Sequence, residues 1–340
     1  MKKLTTLAAT LLASVLAWTP AQAQTTLTMS SWLPPTHVIT KDMMMVWAKQ
    51  VEGATQGRIK FNLLPKAVAS PPGTFDAVRD GLADVSLSVH GYTPGRFPMT
   101  KMAEFPFLGD SAEAISVAYY HTYMKHMAKL DEHKGLVMLG LMTHGPGQIY
   151  MTKQKVTELA DLSNQKIRVG GGVVVDVTKA IGAVPLLKPA SETFEILKSG
   201  IADGIFFPKD SVPAFRLTPL INHMTVVPGG LYNVSFGLWM NEAKFKSLSK
   251  ADQDAIMKVS GENFARLAGK AWDAADEDGL KQMKGSQIIV RNASPELVAE
   301  IKAKTDPLEK AWYAEAKAKG IDGAAVMAEF RAEIKKLSGK

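Results

Sequence analysis

Residues 26–30, Thr-Leu-Thr-Met-Ser, alternate polar and apolar side chains, the period of two expected of a strand with one buried face. A loop follows, Ser31-Trp32-Leu33-Pro34-Pro35-Thr36-His37. The spacing then changes: Met44, Val46, Trp47 and Val51 predict a helix over 41–54, with Gly53 near its end. Residues 58–64 predict a second strand, 71–80 a short helix closed by Gly81, and 84–89 a buried strand. Strand, helix, strand, helix, strand in that order implies parallel strands joined by crossover helices.

A second block of the same kind begins near Gly145. Strands are predicted over 148–152, 166–169, 184–188 and 203–207. Helices are predicted over 173–181, ended by Gly182, and over 191–198, capped by Ser191 and stopped by Gly200. Residues 231–240 read as a long returning strand. From Ser249 onwards the chain is nearly all helical. The stretch 249–279 carries Ala255, Ile256, Val259, Phe264, Leu267 and Ala271 at helical spacing behind a Ser249-x-x-Asp252 cap. Residues 288–290 form a last short strand, and 294–318 and 324–337 two more amphipathic helices. No repeat is present. Two α/β blocks and a helical tail suggest two lobes with a cleft between them, the default place for a site.

At 340 residues the chain has the length of roughly two domains. Its 46% apolar and 21% charged residues are ordinary for a globular protein. The absence of cysteine excludes disulfides, thiolate metal sites and cysteine nucleophiles. A net charge of +7 is too small a surplus over this length to point to nucleic acid. Residues 1–23 have the pattern of an export signal: Lys2 and Lys3, an apolar run over 4–18, Pro20, then Ala21-Gln22-Ala23. Cleavage is expected after Ala23, with a soluble mature chain starting at Gln24 in a bacterial periplasm. The apolar run is short for a membrane span, and no cysteine follows it to carry a lipid anchor.

Motifs of known chemistry are missing: there is no GxGxxG, Walker A, GxSxG or HExxH. Gly170-Gly171-Gly172, between a strand and a helix, has two readings, an anion cradle of backbone N–H groups or a tight turn beside the cleft. The seven histidines are scattered, and His121 and His126 do not share a helix face, so neither a metal nor another cofactor is expected. The Met43-Met44-Met45 run reads as helix core, and Tyr119, Tyr120 and Tyr123 as a helix interface. Arg168 lies in an apolar strand that runs into the glycines. Its planar guanidinium suits a ligand carboxylate; a structural ion pair is the other reading.

The sequence resembles the DctP-type solute-binding proteins of tripartite ATP-independent periplasmic (TRAP) transporters. The resemblance spans about 27–337 and is carried by Trp32-Leu33-Pro34-Pro35-Thr36-His37, Gly57-Arg58-Ile59 through Pro65, Asp76-Ala77-Val78, Gly81-Leu82-Ala83-Asp84-Val85, Phe105-Pro106-Phe107-Leu108, Asp161-Leu162, Lys166-Ile167-Arg168-Val169, Ile181-Gly182-Ala183-Val184-Pro185, Glu192, Leu197, Gly200 and Ala202-Asp203-Gly204. It implies a bilobed periplasmic-binding-protein-like α/β fold, two α/β domains with a hinge and a long C-terminal helical region. Lobe I is expected from 24–145 plus about 236–275, lobe II from 146–235 plus about 276–300, and 301–340 as C-terminal helices packing across the lobes.

The resemblance further implies a receptor, not an enzyme, that closes on an organic acid and pairs its carboxylate with Arg168. Delivery to a small and a large membrane subunit follows from it, with a monomer as the expected state. Two departures shape the expected ligand. Sialic acid receptors of the family carry a second arginine where this chain has Gln148, and many members carry an asparagine where it has Phe207. Fewer polar contacts disfavour dicarboxylates and polyhydroxy acids. Trp32 and Phe207, with Tyr92 and Tyr232 as neighbours, suit a flat or apolar body. The expected ligand is therefore an aromatic or branched monocarboxylate, such as a 2-oxo or 2-hydroxy acid. His37, His90, Gln148 and Asn233 are candidates for its second polar group; each of the histidines has local backbone capping as the other reading. Presentation of the ligand to a sensor kinase, or catalysis on a small acid, are the other uses considered.

Overall fold

The computed structural model describes residues 24–339; the export signal expected over 1–23 lies outside them. Strand β1 (Thr25–Ser30) leads through a wide helical turn at Ile39–Met44 into α1 (Met45–Ala54). Then come β2 (Ile59–Leu63), α2 (Thr74–Arg79) and β3 (Val85–Val89). As the alternation implied, β1 pairs in parallel with both β2 and β3. Helix α3 (Ala112–His126), whose first turn is capped by the Ser111 hydroxyl, leads to β4 (Leu136–Thr143).

The second sheet begins with β5 (Gln148–Met151). It continues through β6 (Lys166–Val169), α4 (Val173–Ala180), β7 (Val184–Leu187), α5 (Thr193–Lys198), β8 (Gly204–Phe207), α6 (Ser211–Ala214) and β9 (His223–Val226). Strand β10 (Ser235–Asn241) returns to the first sheet and is followed by α7 (Glu242–Lys246), α8 (Lys250–Lys258) and α9 (Glu262–Lys284). Strand β11 (Ile289–Asn292) goes back to the second sheet, and α10 (Pro295–Ala318) and α11 (Gly323–Leu337) close the chain.

The sheet orders are β2-β1-β3-β10-β4 and β11-β9-β5-β8-β6-β7. In the first, β10 lies antiparallel between β3 and β4, and every residue of β3 and β10 is buried. In the second, β6 is parallel to β7 and β8, whereas β5 is antiparallel to β8 and β9. Helix α10 packs on α4 of one lobe and on the 98–103 turn of the other, where Trp312 Nε1 donates to the Pro98 carbonyl at 3.0 Å. Helix α11 lies on α3, joined to it by His121–Glu333 and His126–Glu329 pairs.

Two expectations about elements need correction. The strand predicted over 231–240 starts only at Ser235. Residues 231–234 instead pair with another crossing segment, 144–147: Gly147 N–H donates to the Tyr232 carbonyl at 2.8 Å and Leu231 N–H to that of Gly147 at 2.9 Å. Two of the three links between the sheets thus form one hydrogen-bonded ribbon; the third runs through α9 to β11. The helix predicted over 249–279 is broken between α8 and α9. Gly261 turns there with φ of 62°, and its N–H donates to the Leu139 carbonyl at 2.6 Å.

Candidate functional site

A cavity opens between the sheets beyond the carboxyl ends of β1, β3, β6 and β8, where such sheets present ligands. About 450 Å³ lies between its walls, open solvent at the mouth included. Its walls are mainly aromatic and aliphatic.

Arg168 is the cation in that wall, only 2% exposed. The alternation of β6 puts Ile167 and Val169 on the other face, in the core. Nε and Nη2 of Arg168 both donate to the Lys188 carbonyl, at 2.9 and 2.7 Å, and so fix the guanidinium plane. The Phe207 ring lies 4.5 Å from the guanidinium carbon, a cation–π contact. No carboxylate among the described residues forms an ion pair with Arg168; Glu192, which acts on it electrostatically, is paired with Lys188 at 3.1 Å. Burial works against its charge, yet a guanidinium does not deprotonate in a protein. The arrangement leaves a desolvated positive charge facing a cavity without its own counter-ion.

The rest of the wall runs in a ring. From Phe207 it passes to Phe215, 5.7 Å between centroids, to His37 at 5.3 Å, to Trp272 at 6.4 Å, to His144 at 6.2 Å and to Tyr232 at 5.3 Å. Trp32 and Tyr92 add an edge-to-face pair at 5.7 Å. The Trp32 indole N–H donates to the Leu87 carbonyl, and the Tyr232 hydroxyl to that of Phe206. Burial pushes His37 and His144 down to about 4, so both are neutral near pH 7. The Nε2 atom of each is buried with no partner.

Of the residues expected from sequence, Arg168, Trp32, Phe207, Tyr92, Tyr232 and His37 line this cavity. Three do not, and their expected place is corrected. His90 turns into the first lobe's core, among Phe75, Phe97 and Trp239, with Nδ1 on the Ser235 hydroxyl at 3.1 Å and Nε2 on His133 at 3.1 Å; burial pushes it down to about 3. Gln148 is engaged by backbone: Nε2 donates to the Pro146 carbonyl at 3.1 Å and Oε1 accepts from Val227 N–H at 2.6 Å. Asn233 is buried behind the wall, its N–H donating to the Glu104 carbonyl at 3.3 Å. Sequence reasoning missed His144, Trp272, Phe215 and Phe236 in the wall. His144 had a signal, its place beside Gly145-Pro146-Gly147 at the boundary between the blocks. Trp272 on a long amphipathic helix had none.

The glycine run lies against a buried carboxyl of the chain's own, which takes the N–H of the next residue, Val173, rather than that of a glycine. The buried Glu104 carboxylate, from the first lobe, accepts from Val173 N–H at 2.9 Å at the start of α4 in the second. It also accepts from the Ser235 hydroxyl at 2.5 Å and Ser235 N–H at 3.2 Å. A side chain at Gly172 would place its Cβ 2.1 Å from Glu104 Oε2, and one at Gly171 2.2 Å from the Gly91 carbonyl oxygen. Tyr92 of the first lobe accepts from Ala190 N–H of the second at 3.0 Å. The two lobes therefore touch through backbone and buried polar bonds at the rim of the cavity. Among the described residues no group of three or more His, Asp or Glu is placed to hold a metal ion.

Known proteins share this architecture. The family model of the bacterial extracellular solute-binding proteins, family 7 (DctP), matches residues 29–316. A TRAP periplasmic solute-binding protein from Bordetella bronchiseptica, solved with bound (R)-mandelate and (S)-mandelate, is 48% identical with a TM-score of 0.90, over 92% of this chain and 99% of that one. A TRAP solute-binding protein from Rhodoferax ferrireducens T118, in complex with copurified benzoate, is 28% identical with a TM-score of 0.87, over 93% and 99%. A marine metagenome protein from an unidentified microbe, specific for aromatic acid ligands and co-crystallised with 3-hydroxybenzoate, is 31% identical with a TM-score of 0.86, over 92% and 99%. With its two sheets, its crossing ribbon and a buried arginine in the cleft, this chain belongs to the DctP family of bacterial extracellular solute-binding proteins, as a TRAP-type transport receptor and not an enzyme.

Proposed function

We propose that this receptor binds an aromatic or branched monocarboxylate, such as a 2-oxo or 2-hydroxy acid, in the periplasm and hands it to the small and large membrane subunits of a TRAP transporter. The observation that carries the reading is Arg168, buried beside Phe207 without a carboxylate partner. A buried charge lacking its counter-charge is strongly unfavourable, and an incoming carboxylate relieves it with a planar, two-pronged match. Trp32, Phe207, Tyr92 and Tyr232 offer apolar and aromatic surface to the ligand's body. With Gln148 held by backbone, no second Lys or Arg among the described residues lines the cavity to pair with a dicarboxylate. The bound mandelate, benzoate and 3-hydroxybenzoate of the relatives support the same class. Delivery to membrane subunits and removal of residues 1–23 after Ala23 belong to the same reading.

A thermal-shift screen of the mature chain, refolded to release carried-over ligand, tests it. Ligand at about 100 times its dissociation constant adds about 2.7 kcal/mol, enough for a shift of a few degrees. Aromatic or branched monocarboxylates should shift the transition, and C4 dicarboxylates and sugar acids should not. A shift with the latter would refute the pocket described; no shift with any acid would refute the role of Arg168.

A further inference from the structure

We propose that His144, with His37, recognises a hydroxyl on the carbon that bears the ligand's carboxylate, so that the preferred substrate is a 2-hydroxy acid. The inference rests on the monocarboxylate reading above. Both imidazoles are neutral, and their hydrogen bonds fix which nitrogen carries the proton. His37 Nδ1 accepts from Ile39 N–H at 3.2 Å, so its proton is on Nε2. His144 Nδ1 faces the Gly145 carbonyl, which only accepts, so its proton is on Nδ1 and Nε2 is a bare lone pair. Two residues that line the cavity thus carry one N–H donor and one acceptor, both buried and both without a protein partner.

A carboxylate and an aromatic ring bring no hydrogen-bond donor to this acceptor. A 2-oxo group accepts, which serves His37 and leaves the His144 lone pair unmet. A methylene serves neither. A hydroxyl donates to His144 and can accept from His37. A 2-amino group would also donate, but as an ammonium it would bring a second cation to the wall that already holds Arg168. His144 packs on the Tyr232 ring at 5.3 Å, and His144, Tyr232 and Arg168 line the same small cavity. The group that meets His144 is thereby placed, as proposed, on the carbon next to the carboxylate that meets Arg168.

Calorimetric titration of the refolded wild-type chain with mandelate, phenylglyoxylate and phenylacetate tests the inference, since the three differ only at that carbon. Mandelate should bind at least about tenfold more tightly than either of the others, the cost of a buried group left unpaired. His144→Phe should bring the three within about threefold of one another, and His144→Gln, which keeps an acceptor, should restore part of the preference. Long-range ¹⁵N spectra of the wild type supply a readout that needs no variant. Mandelate should shift His144 Nε2 and phenylacetate should leave it in place. Equal affinities in the wild type, a preference that survives in His144→Phe, or a protonated Nε2 in the spectra would overturn the inference while the monocarboxylate reading stands. No binding of any of the three would overturn both.

Discussion

The Glu104 carboxylate crosses the cleft to the Val173 N–H at 2.9 Å, and the same carboxylate is bonded to Ser235 at the start of β10. The first turn of α4 in one lobe is thereby tied to β10 of the other. A negative group at a helix N-terminus is favoured by its free N–H groups and its dipole. Because α4 follows the strand that carries Arg168, this clasp and the carboxylate site are a few residues apart.

Glu104→Gln should leave both lobes folded and weaken the clasp. Loss of a charge-assisted hydrogen bond is worth about 1.5–3 kcal/mol, so the dissociation constant of an aromatic acid should rise at least about tenfold. Gly172→Ala should act alike by a different route, since its Cβ would stand 2.1 Å from Glu104 Oε2. Small-angle scattering of the ligand-saturated variants should show less compact particles than wild type. Unchanged affinity and compactness in both would remove the clasp from the binding equilibrium.

Arg168→Ala should abolish binding of monocarboxylates, with at least about a hundredfold loss, and leave the melting temperature of the ligand-free chain unchanged or higher. The second half follows because a buried cation with no counter-charge contributes little to folding. Arg168→Lys should rescue poorly, for an ammonium lacks the planar fork. Retained affinity in a calorimetric titration of Arg168→Ala would refute the assignment.

Phe207→Leu keeps an apolar side chain against the second core and removes the ring 4.5 Å from the guanidinium. Affinity for benzoate should fall about three- to tenfold, in line with a desolvated cation–π contact. Affinity for a branched aliphatic acid should change less. An equal fall for both would mean that the ring acts through packing alone.

Asp210 and Asp276 are neighbouring buried carboxyls, with Asp210 N–H donating to Asp276 Oδ1 at 2.9 Å. Burial raises both, Asp276 to about 6 and Asp210 well above its usual value, and the Asp276 charge adds to the rise of Asp210. The folded pair holds a proton that the unfolded chain has already lost. Its favourable contribution is therefore full below about pH 4 and is lost as pH rises through about 6. Asp210→Asn removes one charge, so it should raise the melting temperature at pH 8 by more than at pH 5. Equal shifts at the two pH values would show that the pair does not titrate in this range.

The legible parts of the fold were those with a short period. In the run from β1 to β3 and the segment from β6 to β8, the helices and β1 show a buried side, while β3 and β8 are short, wholly buried runs, and glycine or a polar break separates the elements. Helix α3 and strand β4 went unassigned because most of their residues are buried, which erases the period. The antiparallel insertion of β10 between β3 and β4 is a pairing across long stretches of sequence, and no local pattern encodes it. The histidines show the same limit in the cavity. His90 and His144 are each the first residue beyond a buried strand of one sheet. One turns to the helical layer and the other to the cleft, and that choice is made by the neighbouring strands. Arg168 was legible because an arginine inside an apolar strand is rare without a purpose.

Two of the three passages of the chain between the sheets, 144–147 and 231–234, are bonded to each other as a ribbon. Three residues of the cavity wall, His144, Tyr232 and Val234, belong to that ribbon. The polar contact between the lobes starts from the same place, since Glu104 accepts from Asn233 N–H through its carbonyl and from Ser235 N–H through its carboxylate before it reaches Val173. The cavity wall and the Glu104 clasp therefore share one short stretch of backbone, and a displacement of that stretch is felt by both at once.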